Sequence, residues 1–321
     1  MRGRLRERRA RCVIVSGMAR SGSSWLGKGL SFAPGFTYYR EPDNYHEVPE
    51  AKERFAWLYL TRDRDDPEYY HLMTRACTGR VATAFTLCDN PGPLLKHLGP
   101  WGRRVGNWFP ALFVRHRNVL IKLVYANLNL EWLAARFPRA RQVCILRHPC
   151  GQFESWRRLG WEPQPARLLE IPHLMAEHLQ PFEVVLREAG TFWERAGALW
   201  GAMARVLHRQ TPPDSSRIII GYEWLCANPV GRFQELYGRL GLRWTERSRS
   251  FLIQADRGGD NRPYSLARDS EAQVDIWRQR LSAEEVAQCR RFVEPFGLPY
   301  YPDFDPRGGD TDIGRLGLQL S

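Results

Sequence analysis

Four short runs of apolar, largely β-branched residues punctuate this chain: Cys12–Ser16 (CVIVS), Val119–Val124 (VLIKLV), Gln142–Leu146 (QVCIL) and Arg217–Tyr222 (RIIIGY). Each is nearly continuous in apolar character rather than alternating. A strand needs that pattern when both of its faces are covered, as in a parallel sheet. Helical spacing follows the runs. Trp25, Leu26 and Leu30 fit one helical face, and so do Phe153 and Trp156. Phe192, Ala196, Leu199, Met203 and Leu207 recur at helical intervals, as do Phe233, Leu236, Tyr237 and Leu240. Ser282 and Glu285 have the spacing of a capping box ahead of Val286, Cys289, Phe292 and Val293. Buried strands alternating with amphipathic helices predict crossover units and a three-layer α/β fold, with a central parallel sheet flanked by helices. The aromatic and leucine stripes are read as core.

With 321 residues and 43% hydrophobic composition, the chain is long enough for one large α/β domain, here taken as 12–304. That composition excludes a disordered or collagen-like chain. Residues 43–116 mix charge, aromatics, Pro and Gly between the first strand–helix unit and the second. A loop of that length is expected to carry its own helices and to act as an insertion or acceptor lid. The tail 305–321, rich in Gly and Asp, is expected to be mobile. The seven cysteines are scattered and lack C-x-x-C spacing, so neither a zinc site nor a disulfide framework is indicated. The start lacks the apolar centre of a signal peptide, and no apolar run reaches the roughly 20 residues of a membrane span. These features predict a cytoplasmic protein. The net charge of +12 favours an anionic partner. Six Arg and one Glu among residues 1–11 form a basic arm, read as a solvated tail. The remaining Arg residues are dispersed, which argues against nucleic acid and fits a phosphate-rich small molecule.

Residues 17–30, GMARSGSSWLGKGL, follow a predicted strand and open a predicted helix. In that context a Gly-rich loop aims backbone N–H groups at an anion, and the helix dipole adds to the attraction. Gly17 and Gly22 have the outer spacing of a nucleoside-triphosphate loop, so the fold is P-loop-like. The next position, where a kinase or ATPase needs Lys, is Ser23. Without that Lys, triphosphate chemistry is disfavoured, and a P-loop kinase-like nucleotide-binding enzyme stands as the alternative. Arg20 is left as the loop's cation. An ordinary strand–helix turn capped by Ser is the plainer reading.

The stretch RSGSSWLGKGL, together with Arg40–Pro42 (REP), resembles the 5′-phosphosulfate loop of sulfotransferases. It is most similar to the carbohydrate and tyrosylprotein types, which carry Arg-Ser-Gly-Ser/Thr where cytosolic steroid and phenol enzymes carry Lys-Ser-Gly-Thr. The resemblance implies 3′-phosphoadenosine-5′-phosphosulfate (PAPS) as donor, 3′,5′-diphosphoadenosine (PAP) as product, and no metal. It also implies a second motif, an Arg at a strand end with a Ser eight positions later for the 3′-phosphate. Gln142–Trp156 (QVCILRHPCGQFESW) supplies Arg147 and Ser155 at that spacing. Arg offers a planar fork to a phosphate dianion and Ser a further donor. Tyr222–Pro229 (YEWLCANP) is similar to the family's segment near the adenine. Gln254–Ser265 lies where cytosolic members carry a basic loop, which implies Arg257 and Gly258 as further 3′-phosphate residues. The resemblance spans about residues 12–300.

By the same resemblance Ser21, Gly22, Ser23, Ser24 and Trp25 hold the 5′-phosphosulfate, with Trp25 able to stack on adenine, and Arg20 stabilises the leaving phosphate. Cytosolic members place a His base two residues after the strand Lys. Lys122 is present here, but that position is Val124. The carbohydrate and tyrosylprotein types use a Glu shortly after the loop, which implies Glu41 as general base, with His46 and Glu47 as fallbacks. Lys122 is expected to assist at the sulfonate. Glu41 can equally be a partner for Arg40 or a surface charge, and Lys122 a structural ion pair. If buried beside the acceptor, Glu41 is expected to have a raised pKa. The expected partner is a hydroxyl-bearing acceptor, a glycan or glycosylated small molecule, with protein tyrosine also open.

Overall fold

The computed structural model describes residues 11–46, 48, 50–81, 118–211, 217–256 and 269–308. Arm residues 1–10, Glu47, segment 82–116 of the expected insertion, Arg257, Gly258 and tail residues 309–321 lie outside the described residues. Among the described residues five strands form one sheet: β1 (Cys12–Ser16), β2 (Phe36–Arg40), β3 (Asn118–Leu123), β4 (Arg141–Leu146) and β5 (Arg217–Gly221). Their order is β2-β3-β1-β4-β5, and all four pairings are parallel. The continuous apolar runs follow from this. In β1, Val13 and Val15 enter one core while Ile14 enters the other. In β4, Val143 and Ile145 face the first core, and Cys144 and Leu146 the second.

The first of those cores lies under α1 (Ser23–Leu30), α7 (Tyr222–Ala227), α8 (Pro229–Arg239) and α9 (Glu246–Asp256), with Leu26, Leu225, Phe233 and Leu252 buried in it. The other lies under α2 (Pro67–Cys77), α3 (Leu130–Arg136), α4 (Pro149–Arg157), α5 (Glu183–Glu188), α6 (Phe192–Arg209) and α11 (Ala283–Val293). The capping box predicted at Ser282 and Glu285 starts α11. Helix α10 (Ser270–Asp275) packs against α7.

Strand β2 had no counterpart among the predicted runs. Its sequence, FTYYR, is an edge strand in which Thr37 and Tyr39 are buried and their neighbours half-buried. A half-open edge needs no continuous apolar run, so its five residues do not stand out from the aromatics around them. Of the expected insertion, the described part contains a 3-10 turn at Glu53–Trp57 and α2, which Asp66 caps and Pro67 opens. At the start of the expected tail, Asp305 pairs with Arg278, and Arg307 pairs with Asp275 on α10.

The loop after β1 leads to the helix layer on one side of the sheet, and the loop after β4 leads to the other. Beyond the carboxyl ends of those two adjacent strands the chain therefore opens a crevice, the usual ligand position in an open α/β sheet.

Candidate active site

The turn from β1 to α1 is built so that its backbone faces that crevice. Gly22, the residue preceding α1, has φ +95°, and a Cβ there would sit 2.4 Å from Cδ2 of Tyr222. Gly17 is equally confined, since its Cβ would come within 2.7 Å of Cγ2 of Ile145. Arg20 also adopts a left-handed conformation, φ 68°. Helix α1 has no side-chain cap and no acidic residue in its first turn, so its own first turn supplies no anion to its N-terminus. The Ser21 hydroxyl is buried and has no hydrogen-bond partner. Such an orphaned donor fits an oxyanion. Ser23 is buried and Ser24 half-buried in the first turn. The Trp25 ring is buried edge-on between Tyr222 and Phe233, at 5.9 and 5.3 Å between centroids.

The second predicted cradle converges on the first. Arg20 Nε donates to Ser155 Oγ at 2.9 Å, and Arg147 Nη1 donates to the Arg20 carbonyl at 3.3 Å. Two side chains of α4 hold the loop from beneath: Gln152 Nε2 and Trp156 Nε1 both donate to the Ala19 carbonyl, at 3.0 and 2.9 Å. The Arg147 guanidinium lies 4.5 Å above the Tyr222 ring. Its Nε is buried without a hydrogen-bond partner, a cationic donor left for an anion. Arg20, Ser21, Gly22, Arg147, Ser155 and Tyr222, read from separate segments of sequence, therefore surround one crevice.

Glu41 leaves the end of β2 with φ 54°, and its amide donates to the Lys122 carbonyl at 2.7 Å. Its carboxylate accepts from Lys122 Nζ at 2.7 Å on one oxygen and from Asn44 Nδ2 at 2.8 Å on the other. Arg40 Nε lies 3.5 Å away. Both members of the ion pair are largely buried, with side-chain exposures of 3% for Lys122 and 12% for Glu41. Burial pushes the Glu41 pKa up as expected. Lys122, Arg40 and Asn44 outweigh it and hold the group at about 2. The expectation of a raised pKa is thus reversed, because the neighbouring cations favour the carboxylate more than burial disfavours it. Lys122, at the end of β3, is the ion-pair partner that the plainer reading anticipated.

The residue beyond Pro42 has no counterpart in the sequence reading. Asp43 is fully buried, and its carboxylate accepts from the amides of Val124, at 3.0 and 3.2 Å, and Tyr125, at 2.7 Å. Burial raises its pKa to about 6 against those bonds. Asp43 ties the loop after β2 to the end of β3 and so fixes Glu41 on Lys122. Val124, where a His base would stand in cytosolic sulfotransferases, is engaged here through its amide. Tyr45 and Tyr125 stack at 5.8 Å alongside, and His46 lies against Tyr45 at 4.1 Å. Glu223 and His148, behind Arg147, were also unforeseen. The only sequence signal for them is their place beside Tyr222 and Arg147. Among the described residues no group of three or more His, Cys, Asp or Glu could hold a metal ion, and no helix is long and apolar enough to cross a membrane.

No curated protein matches the chain. Among solved structures it is similar to a sulfotransferase from Alicyclobacillus acidocaldarius, with 16% identity, coverage of 88% of this chain and 96% of that one, and a TM-score of 0.38. It is also similar to a mouse sulfotransferase complexed with PAP (12% identity, 96% and 87% coverage, TM-score 0.45). A third is the sulfotransferase domain of the Synechococcus PCC 7002 olefin synthase (16% identity, 93% and 98% coverage, TM-score 0.43). Residues 12–246 match the family described as "Sulfotransferase family", a span that contains the β1 loop, Glu41, Lys122, Arg147 and Ser155. The chain belongs to the sulfotransferase family.

Proposed function

We propose that this enzyme moves the sulfuryl group of PAPS to a sugar hydroxyl, on a glycan or a glycosylated metabolite, with Glu41 as general base. The observation that carries the reading is the meeting of two anion cradles, the β1–α1 turn and the Arg147–Ser155 corner, beside a buried carboxylate–ammonium pair. A nucleoside phosphorylated at both ends suits two such cradles. The orphaned Ser21 hydroxyl and Arg147 Nε suit its oxyanions. In this reading Ser21 to Trp25 hold the 5′-phosphosulfate, Arg147 and Ser155 hold the 3′-phosphate, and Arg20 stabilises the leaving phosphate. The buried Trp25 ring contributes packing and its backbone amide. Tyr222 supports Arg147 from below. Arg257 and Gly258 remain proposed 3′-phosphate residues on the strength of the motif resemblance alone.

In the transfer, the acceptor oxygen forms a bond to sulfur as the bond from sulfur to the 5′-phosphate oxygen breaks. Glu41 takes the acceptor proton, and the departing electron pair goes to the phosphate, which Arg20 and the loop amides stabilise. A carboxylate held near 2 is a weak base. Lys122 resolves this if its ammonium turns to the sulfonate oxygens, because Glu41 then keeps its burial and loses its nearest cation. A sugar acceptor is favoured by the resemblance of the Arg-Ser-Gly-Ser loop and of Glu41 to the carbohydrate type, and Tyr125, near enough to Glu41 to feel its charge, adds an aromatic group beside the base.

The test is an acceptor screen with radiolabelled donor sulfate, followed by Glu41→Gln on the best acceptor. Loss of a positioned base is expected to lower kcat by about 10²–10⁴-fold with PAP affinity unchanged. Near-full turnover in a folded Glu41→Gln protein would remove Glu41 from the role. A phenol or peptidyl tyrosine labelled in preference to every sugar would overturn the acceptor class.

A further inference from the structure

Behind Arg147 lies a buried polar chain that the transfer itself does not use. The amide of His148 donates to Glu223 Oε1 at 3.0 Å, and Tyr301 Oη donates to Glu223 Oε2 at 2.6 Å. Both Glu223 and Tyr301 are fully buried, and Glu223 lies close enough to Arg147 to be influenced by its charge. The His148 ring stacks on Trp277 at 4.8 Å and 5°, meets Tyr301 and Phe304 edge-on, and bonds through Nε2 to the Phe304 carbonyl at 3.1 Å. The segment that delivers these contacts is unusual. Tyr301, Asp303 and Phe304 all have positive φ, at 57°, 54° and 60°. Left-handed conformation at three non-glycine residues is costly and persists only where surrounding contacts enforce it. Here the Tyr301 and Phe304 rings both pack on His148, at the corner from β4 to α4, and Tyr301 also meets Trp200 of α6.

We infer that Tyr301 is a positioning residue of the donor site: through the Glu223 carboxylate it holds the His148 amide, and with it the corner from which Arg147 reaches the 3′-phosphate. The two hydrogen bonds to Glu223 also draw its charge away from Arg147, whose Nε stays without a protein partner. A carboxylate without those donors would turn to the guanidinium and compete with the phosphate. The inference rests on the proposed role of Arg147. Its positioning residue, Tyr301, lies beyond 246, the last position of the family match.

The test compares PAP with adenosine 5′-monophosphate, which differs only in the 3′-phosphate. By calorimetry, Tyr301→Phe is expected to weaken PAP about tenfold, the order expected for losing one hydrogen bond to a charged group, and to leave AMP within about twofold. In kinetics the donor KM rises while kcat at saturating donor and the acceptor KM stay put. Glu223→Gln, read the same way, serves as the second variant should the first be poorly folded. A purely structural role would lower Tm and weaken PAP and AMP alike, and an unchanged PAP-to-AMP ratio in both variants overturns the proposal. Arg147→Ala separates this from the underlying reading. If it abolishes the preference for PAP while Tyr301→Phe and Glu223→Gln leave the PAP-to-AMP ratio unchanged, only the positioning role falls. If Arg147→Ala retains the preference, the 3′-phosphate assignment falls and the proposal with it.

Discussion

At Glu41 two effects of opposite sign act on one carboxylate. Burial raises its proton affinity, while Lys122, Arg40 and Asn44 lower it further than burial raises it. The proposed base role needs the carboxylate unprotonated before the acceptor arrives and basic once it has. An ammonium that can change partners meets both needs, where a fixed one would not. The consequence is measurable in the pH dependence of kcat/KM. In the unaltered enzyme Glu41 imposes no acid limb near neutrality, because its pKa is about 2. In Lys122→Met the largest opposing influence disappears while burial, Arg40 and Asn44 remain, so the acid limb is expected to move upward from its place in the unaltered enzyme. The rate should also fall, by about 10²-fold or more, through loss of charge stabilisation at the sulfonate. An acid limb unmoved in Lys122→Met would dissociate Glu41 from the ion pair as the source of its basicity.

At the scale of elements, the β1–α1 turn shows why part of this site is legible in sequence and part is not. The turn reads through because its requirements are local. A glycine at φ +95°, a helix with no acidic residue in its first turn and a strand feeding both all fall within residues 12–26. Gly22→Ala tests the local requirement. Positive φ costs an alanine about 1–3 kcal/mol, and the Cβ contact with Tyr222 adds to that. Urea unfolding should show at least this destabilisation, with donor binding lost as the turn moves. An unaltered midpoint and affinity would mean that the loop does not depend on that backbone shape. The Arg147–Ser155 spacing is legible for the same reason, being set by one strand end and one helix turn. Asp43 and Tyr301 are not. Their partners stand 81 or 82 and 78 positions away in the chain, and only the folded sheet brings them together. Strand β2 escaped detection by being an edge, and with it went the reason why Glu41 lies on Lys122, namely the pairing of Arg40 with Lys122 across the sheet.

For the whole molecule, two buried groups on opposite flanks of the sheet pull stability in opposite directions with pH. His148 is fully buried, and desolvation holds its pKa at about 3 against 6.5 for an ordinary imidazole. The folded protein therefore binds fewer protons there than the unfolded chain. The His148 contribution is complete above 6.5 and is lost as pH falls toward 3. Asp43 behaves oppositely. Its folded pKa of about 6 exceeds the ordinary 3.8, so its contribution is present below 3.8 and is lost as pH rises through 6. Between about pH 4 and 6 each group changes stability by roughly 1.4 kcal/mol per pH unit, with opposite sign, and the two slopes nearly cancel. Replacing His148 by Phe preserves an aromatic ring against Trp277 and removes one of the two slopes. Unfolding free energies measured by urea at intervals across that window should then fall as pH rises, by about 3 kcal/mol relative to the trend of the unaltered protein. Asp43→Asn should tilt the profile the other way. The readout is the slope, so the bonds that either substitution loses outright shift the curve without disguising the answer. Parallel profiles for His148→Phe and the unaltered chain would mean that His148 titrates normally in the folded state, and that the corner behind Arg147 is open to water.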